Sequence, residues 1–328
     1  MNVGILGTGS YLPDTVVGND GLETRLHLDE GWILGKTGIH ERRYAAPGDA
    51  TSDLALRASR RALDASGIDP AELDLLVLAS GTVDQPSPAT ACFVQAELGA
   101  VNAASFDVAA VCAGFLFGLT VARDMLIADP SRRYALVVGA EVYSRFLNFD
   151  DRSTCVLLGD GAGAAVLGRT ERGGILASNI GSDGTLTHLG YIAGGGSRAP
   201  ASAETLSSGL HYVSMKGREV RNLIVEIMPG IVEKLLASAG MGASDLDFVV
   251  PHQANGVMLR EWADLLGIDH ERVLQTVAKY GNTGAASVPV TLDDAVRSGR
   301  VKPGDRMLYI SFGAGISWSA VLVEWTAA

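Results

Sequence analysis

The chain spells one pattern twice. Residues 75–80 (LLVLAS), 111–118 (VCAGFLFG), 134–141 (YALVVGAE) and 161–168 (GAGAAVLG) are answered by 247–254 (DFVVPHQA), 282–290 (NTGAASVPV), 306–315 (RMLYISFGAG) and 317–325 (SWSAVLVEW). In each series an apolar strand leads to a helix, a turn of small residues opens a second helix, and two strands follow. A repeat of this kind is a supersecondary unit that buries its apolar faces against its own copy. Strands apolar on both faces belong to sheets covered on both sides. The expectation is an α/β protein of two like halves, 1–170 and 171–328, with helices over mostly parallel sheets. Strand ends and helix starts should converge near the middle, where open α/β folds hold ligands.

Within the first half, 106–122 reads FDVAAVCAGFLFGLTVA, and its one chemically distinctive atom is the sulfur of Cys112. A helix start offers unpaired N–H groups and positive dipole charge, which favours a thiolate, the nucleophilic form. A buried structural cysteine is the other reading. In the second half His252 follows a buried strand and a proline. It reads either as a satisfied polar group or as the proton partner a thiolate needs. His27, His40, His188, His211 and His270 lie in polar or loop stretches and read as surface. Asn282, between glycines in YGNTGAAS, is a turn former by type. By the repeat, however, it occupies a helix start related to that of Cys112. Residues 312–316 (FGAGI) could present N–H groups to an oxyanion, or simply connect two strands. GDGAG at 159–163 is no dinucleotide loop, because a strand follows and the spacing is not GxGxxG.

The remaining elements follow from periodicity. Strands are expected at 3–6, 75–79, 135–139, 248–250, 307–310 and 319–324. Helices are expected at 52–65, 90–98, 116–122 and 257–266. Residues 11–50 read as irregular, 159–167 as a turn into a strand, and 181–210 as loops. A helix at 217–239 should be kinked or broken at Pro229, and 281–295 is a turn and helix. The net charge of −11 argues against nucleic acid or an anionic membrane as a general partner. Cys92, Cys112 and Cys155 form no metal-spaced cluster. The N-terminus lacks the marks of a signal peptide, and no stretch reads as the roughly 18 apolar residues of a membrane span. A cytoplasmic protein with reduced thiols is expected.

Together these residues resemble the β-ketoacyl-acyl-carrier-protein synthase III family of thiolase-like condensing enzymes. The resemblance rests on GTGSYLP (7–13), the WxxxxTGIxER pattern at 32–42, FDVAAVCAGF (106–115), YALVVG (134–139), DRST (151–154), GDGAGAAVL (159–167), PHQAN (251–255) and GNTGAASVP (281–289). It implies a duplicated five-layered α-β-α-β-α thiolase-like fold, a homodimer, and an acyl-CoA starter joined to malonyl on an acyl carrier protein. Cys112 would carry the acyl group, while His252 and Asn282 would hold the malonyl thioester carbonyl. The acyl-enzyme oxyanion would sit between the Cys112 N–H and the turn at Ala314. Trp32, Lys36 and Arg152 would meet CoA. Leu157, Gly217, Arg221, Ala254 and Asn255 would line the substrate path. Ser87, reaching across the dimer, and Leu158 would shape the acyl pocket. No metal or cofactor is implied, since CoA enters as substrate.

Two departures stand out. Lys36 replaces the usual Arg and loses its planar fork. Where the family tends to place basic or aromatic residues for carrier docking, this chain has Arg221, Asn222, Val257 and Asp264, so the carrier surface is atypical. The other readings are an acyltransferase passing an acyl group from CoA to a carrier or small-molecule nucleophile, and a non-catalytic ketosynthase subunit.

Overall fold

The computed structural model describes residues 2–327. In chain order the first half comprises β1 (Asn2–Tyr11), β2 (Thr15–Gly18), α1 (Asp20–Arg25), α2 (Trp32–Thr37), β3 (Glu41–Tyr44), α3 (Thr51–Ser66), β4 (Leu75–Ala79), α4 (Thr90–Leu98), β5 (Ala104–Val108), α5 (Gly114–Ala128), β6 (Tyr134–Glu141) and β7 (Gly161–Thr170). There follow β8 (Gly174–Ser182), β9 (Gly190–Ile192), α6 (Ala203–Ser207), β10 (Val213–Met215), α7 (Gly217–Ser238), β11 (Phe248–Pro251), α8 (Gly256–Leu266), α9 (Val277–Tyr280), α10 (Ser287–Arg297), β12 (Arg306–Gly313) and β13 (Ser317–Glu324).

Two sheets organise the chain, one of order β1-β7-β6-β4-β5 and one of order β11-β12-β13-β8. Neither is mostly parallel. In the first, β4 runs parallel to both β5 and β6, while β6–β7 and β1–β7 are antiparallel. In the second, only β11–β12 is parallel. Connections explain the mixture. A parallel neighbour needs a crossover of about a dozen residues, usually helical. The link from β12 to β13 is only residues 314–316, and no α-helix lies between β6 and β7.

The layers follow from the buried faces. On one outer side α3 buries Leu54, Ala55, Ala58 and Ala62 against the first sheet. Beside it α4 is capped by the Asp107 carboxylate of β5, which accepts the Thr90 and Ala91 N–H groups at 2.7 and 2.8 Å. On the other outer side α7 and α8 cover the second sheet. Between the sheets lie α5 and α10, whose Phe115, Leu116, Leu119, Val288 and Leu292 form one core with strands of both. The result is the five-layered thiolase-like arrangement. A polar clamp adds to it: buried Asp293 of α10 accepts the Thr8 and Ser10 hydroxyls of β1 at 2.9 and 2.6 Å, and Arg297 Nε at 2.8 Å.

Several expectations give way. Residues 11–50 are not irregular but hold two short helices and the antiparallel pair β2–β3. The supposed loops at 181–210 include the end of β8, all of β9 and α6. Helix α7 passes through Pro229 as one element. Proline costs a helix about 3 kcal/mol. Burying Ile224, Met228, Val232, Leu235 and Leu236 along one face is worth about 1.5–3 kcal/mol each, so burial wins. Residues Val111–Ala128 are, after all, long and apolar enough to cross a membrane, being 18 residues. Their place is the middle layer, where Phe115, Leu116 and Leu119 are 0 % exposed, and an all-round apolar helix is what a core position between two sheets requires.

One close approach fixes where the halves meet. A Cβ on Gly139 of β6 would strike the carbonyl oxygen of Ala285, in the turn leading to α10. Gly139→Ala should therefore destabilise the fold by about 1–3 kcal/mol, the usual cost of overpacking. Chemical denaturation checks this: a midpoint equal to that of the parent chain would show that the turn yields freely.

Candidate active site

Cys112 lies in the short turn of residues 111–113 between β5 and α5. The residue before it, Val111, has φ of 48°. A β-branched residue in the left-handed region is strained, and such strain collects where a side chain must be presented at a fixed angle. The turn is anchored from the second half. Ser311 Oγ of β12 donates to the Cys112 carbonyl at 2.7 Å. A Cβ on Gly313 would strike the Ala110 carbonyl oxygen and lie 3.1 Å from the Cys112 nitrogen. Glycine lets β12 end directly beside the nucleophile's own N–H. Ala314, next in line, needs no special backbone, because His27 and Val111 are the only non-glycine residues with positive φ among those described.

His252 follows β11, which pairs in parallel with β12, and its N–H donates to the Ile310 carbonyl at 2.7 Å. The ring is buried, and its Nδ1 lies 2.7 Å from Ser287 Oγ, the first residue of α10. Burial lowers the imidazole to about 4, so the ring is neutral at physiological pH. When the Ser287 hydroxyl donates to Nδ1, the ring proton sits on Nε2, the tautomer that can act as a donor. Gln253 holds the segment from behind. Its Nε2 donates to the Pro251 and Leu274 carbonyls, and its Oε1 accepts the Thr276 and Val277 N–H groups.

Asn282 is set by backbone on both sides. Its N–H donates to the Leu157 carbonyl at 2.8 Å, and its carbonyl accepts from Gly159 at 2.9 Å. Its Oδ1 accepts the Gly284 N–H at 2.9 Å. That leaves Nδ2 as the free end of the amide. The repeat correspondence is looser than expected: the turn equivalent to 111–113 is 284–286, and Asn282 precedes it by two residues.

Cys112, His252 and Asn282 line one cavity of about 740 Å³. Lys36, Leu157, Leu158, Gly217, Arg221, Ala254, Asn255 and Ala314 line it as well. Trp32 and Arg152 do not, but they meet each other, with the Arg152 guanidinium 5.4 Å from the Trp32 ring centroid. Ser87 is exposed on the loop before α4 and lies outside this chain's cavity. Asn255 is the N-cap of α8, its Oδ1 accepting the Val257 N–H at 2.8 Å. Arg221, expected along the substrate path, is not a free cation there. Glu261 takes it in a two-pronged pair, with contacts of 3.0 and 2.5 Å. Of the remaining histidines four are exposed and His211 is half-buried.

The thiolate expectation is also corrected. Burial first, and then the nearby Glu141 carboxyl, push the Cys112 thiol up to about 12, against a smaller downward pull from its own N–H. The resting group is therefore a thiol that loses its proton only as it reacts. Residues to which the sequence assigns no role carry much of this: Ser287 within GNTGAAS, Gln253 within PHQAN, and Glu141 at the end of YALVVGAE. A carboxylate closing an otherwise apolar strand was the one available signal.

Five layers built from a duplicated unit, with a thiol from one half facing neutral donors from the other, define a thiolase-like enzyme. Family models narrow the class. That for 3-oxoacyl-[acyl-carrier-protein (ACP)] synthase III matches residues 106–184, and that for its C-terminal part matches residues 236–325. A β-ketoacyl-[acyl-carrier-protein] synthase III from Caldanaerobacter subterraneus subsp. tengcongensis is 46% identical over 324 residues, covering 98% of each chain. The acetoacetyl CoA synthase NphT7 of a Streptomyces species is 47% identical over 324 residues, also covering 98% of each. The solved priming β-ketosynthase of the R1128 polyketide pathway superimposes with a TM-score of 0.92 at 35% identity, covering 100% of this chain and 97% of that one. The chain belongs to the 3-oxoacyl-[acyl-carrier-protein] synthase III family.

Two measurements check the site. Alkylation of Cys112 should climb about tenfold per pH unit through pH 8–9, since the thiolate is the reacting form; a plateau below pH 8 would show a thiol already ionised. Ser287→Ala should slow malonyl decarboxylation by about tenfold, the lower range for losing one oriented donor, while Ser287→Thr restores part of it. An unchanged rate in Ser287→Ala would mean that the hydroxyl does not orient the ring.

Proposed function

We propose that the chain condenses an acyl-CoA starter with a malonyl thioester through an acyl-Cys112 intermediate. The observation that carries this is that Cys112 lines one cavity with His252, a ring held neutral by burial, and with Asn282, whose amide Nδ2 is left free; both can act there as uncharged donors. In the first half-reaction the Cys112 sulfur attacks the acyl-CoA carbonyl. The sulfur–carbon bond forms, the bond to CoA sulfur breaks, and the thiol proton leaves with CoA. The Cys112 N–H and the turn at Ala314 are the donors for the oxyanion. In the second, carbon dioxide leaves the malonyl group and its electron pair passes into an enolate on the thioester oxygen. His252 and Asn282 stabilise that oxygen. Oriented neutral donors in a water-poor cavity are worth far more than in water, and they add no charge that would hold the carbanion back. The carbanion then attacks the acyl-Cys112 carbonyl: a carbon–carbon bond forms, the carbonyl–sulfur bond to Cys112 breaks, and the departing thiolate takes up a proton from water.

The finer assignments rest on the resemblance and on position. Trp32, Lys36 and Arg152 meet the CoA nucleotide. Leu157, Gly217, Arg221, Ala254 and Asn255 guide the pantetheine arm, and Leu158 bounds the acyl end. The enzyme works as a cytoplasmic homodimer, with Ser87 serving the partner's acyl pocket, and its halves 1–170 and 171–328 supply nucleophile and donors. An acyl carrier protein delivers the malonyl group to a mouth whose Arg221 is already neutralised by Glu261.

Intact mass after incubation with a panel of acyl-CoAs should show acyl addition that Cys112→Ala abolishes, and carbon dioxide should appear on adding malonyl thioester. Addition without carbon dioxide release would overturn condensation in favour of simple acyl transfer. Asn282→Asp replaces a donor by an acceptor and should lower condensation by about a hundredfold while acyl loading changes little. Equal losses in both steps would refute the division of labour.

A further inference from the structure

The mechanism leaves one buried acid unused. Glu141 ends β6, is 0 % exposed, and has no salt-bridge partner among the described residues. Its carboxylate is met only by donors. From the segment after β4 come the Gly81 N–H at 3.0 Å to Oε1 and 3.1 Å to Oε2, the Thr82 hydroxyl at 2.7 Å and the Ser80 hydroxyl at 3.3 Å. From the other half comes the Ala285 N–H at 3.3 Å. Gly81 lines the cavity beside Val111 and Cys112. Ala285 lies three residues beyond Asn282, whose turn rests on β6 at Gly139, two positions before Glu141 on the same strand face. The titratable groups facing Glu141 are Cys112 and Tyr143.

We propose that Glu141 is a positioning residue whose carboxylate ties the Asn282 turn of one half to the Gly81–Cys112 wall of the other, and so sets the distance between nucleophile and enolate donors. The inference deepens the condensation reading and rests on it. A carboxylate accepts hydrogen bonds and donates none, whereas a carboxamide carries two N–H hydrogens. The Gly81 and Ala285 N–H groups can only donate, so at these two contacts the chemistry selects an acid over its amide. Burying a carboxyl with no cation is costly, and the five donor contacts offset that cost only while the two halves stand in register.

The test compares Glu141→Gln and Glu141→Asp with the parent enzyme, after the parent has been shown to release carbon dioxide. Glu141→Gln should lower condensation about tenfold or more, as misplacement near 1 Å does. It should also speed Cys112 alkylation at pH 8 about threefold, because a like charge beside the thiol is gone. General damage would not slow one and speed the other in this way. Glu141→Asp keeps the acceptor and should fall between parent and Gln in condensation relative to acyl loading. Hydrogen exchange in residues 281–287 should rise in both variants, a readout that needs no turnover. Parent-like exchange and an unchanged condensation-to-loading ratio would overturn the proposal. If Glu141→Gln does not fold, Glu141→Asp decides by the same two measurements. Absence of carbon dioxide release by the parent enzyme would sink the condensation reading instead, leaving the exchange result to judge Glu141.

Discussion

Two buried helices serve both sheets at once, and the rest of the molecule is arranged around that economy. Helix α5 comes from the first half and α10 from the second, yet both lie in the same middle layer and share one core. Each is entered through a turn of small residues. Small residues let backbone meet backbone, so the two entrances stand against each other instead of being held apart by side chains. The close fits of Gly139 on Ala285 and of Gly313 on Ala110 are the visible cost. In return, a thiol from one entrance and an amide from the other reach a common cavity. Neither half could build that cavity alone.

Much of this was legible in the chain. Apolar runs such as LLVLA and YALVV located central strands because a strand buried on both faces has no polar position to spare. The repeat located the middle of the molecule. Sheet direction was not as legible, although strands expected at 307–310 and 319–324 leave too little chain between them for a helical crossover, and the observed link is shorter still, residues 314–316. Residues 11–50 hid their strand pair and short helices because elements of four to six residues are too brief to display a period. Pro229 misled in another way: a local rule about proline gave way to five buried side chains on the same helix.

At the site, residue types were legible and states were not. Cys112, His252 and Asn282 could be chosen from the sequence, since few side chains do their chemistry. The protonation of Cys112 depends on what surrounds the sulfur, and the distant Glu141 that completes those surroundings arrives only through folding. The neutral ring of His252 likewise follows from burial. Ser287 needed the turn of α10 to bring it under the imidazole. Such partners are distant in sequence and ordinary in type, so no motif marks them.

The pairing of Arg221 with Glu261 has a mechanical side. It joins the first turns of α7 to the middle of α8 beside the cavity that Arg221 lines, with the arginine 45% and the glutamate 28% exposed. A cation spent in this way attracts little from a distance; it acts as a hasp between two helices. Salt therefore acts at this point chiefly by loosening a fastening between two helices, since screening weakens an exposed ion pair.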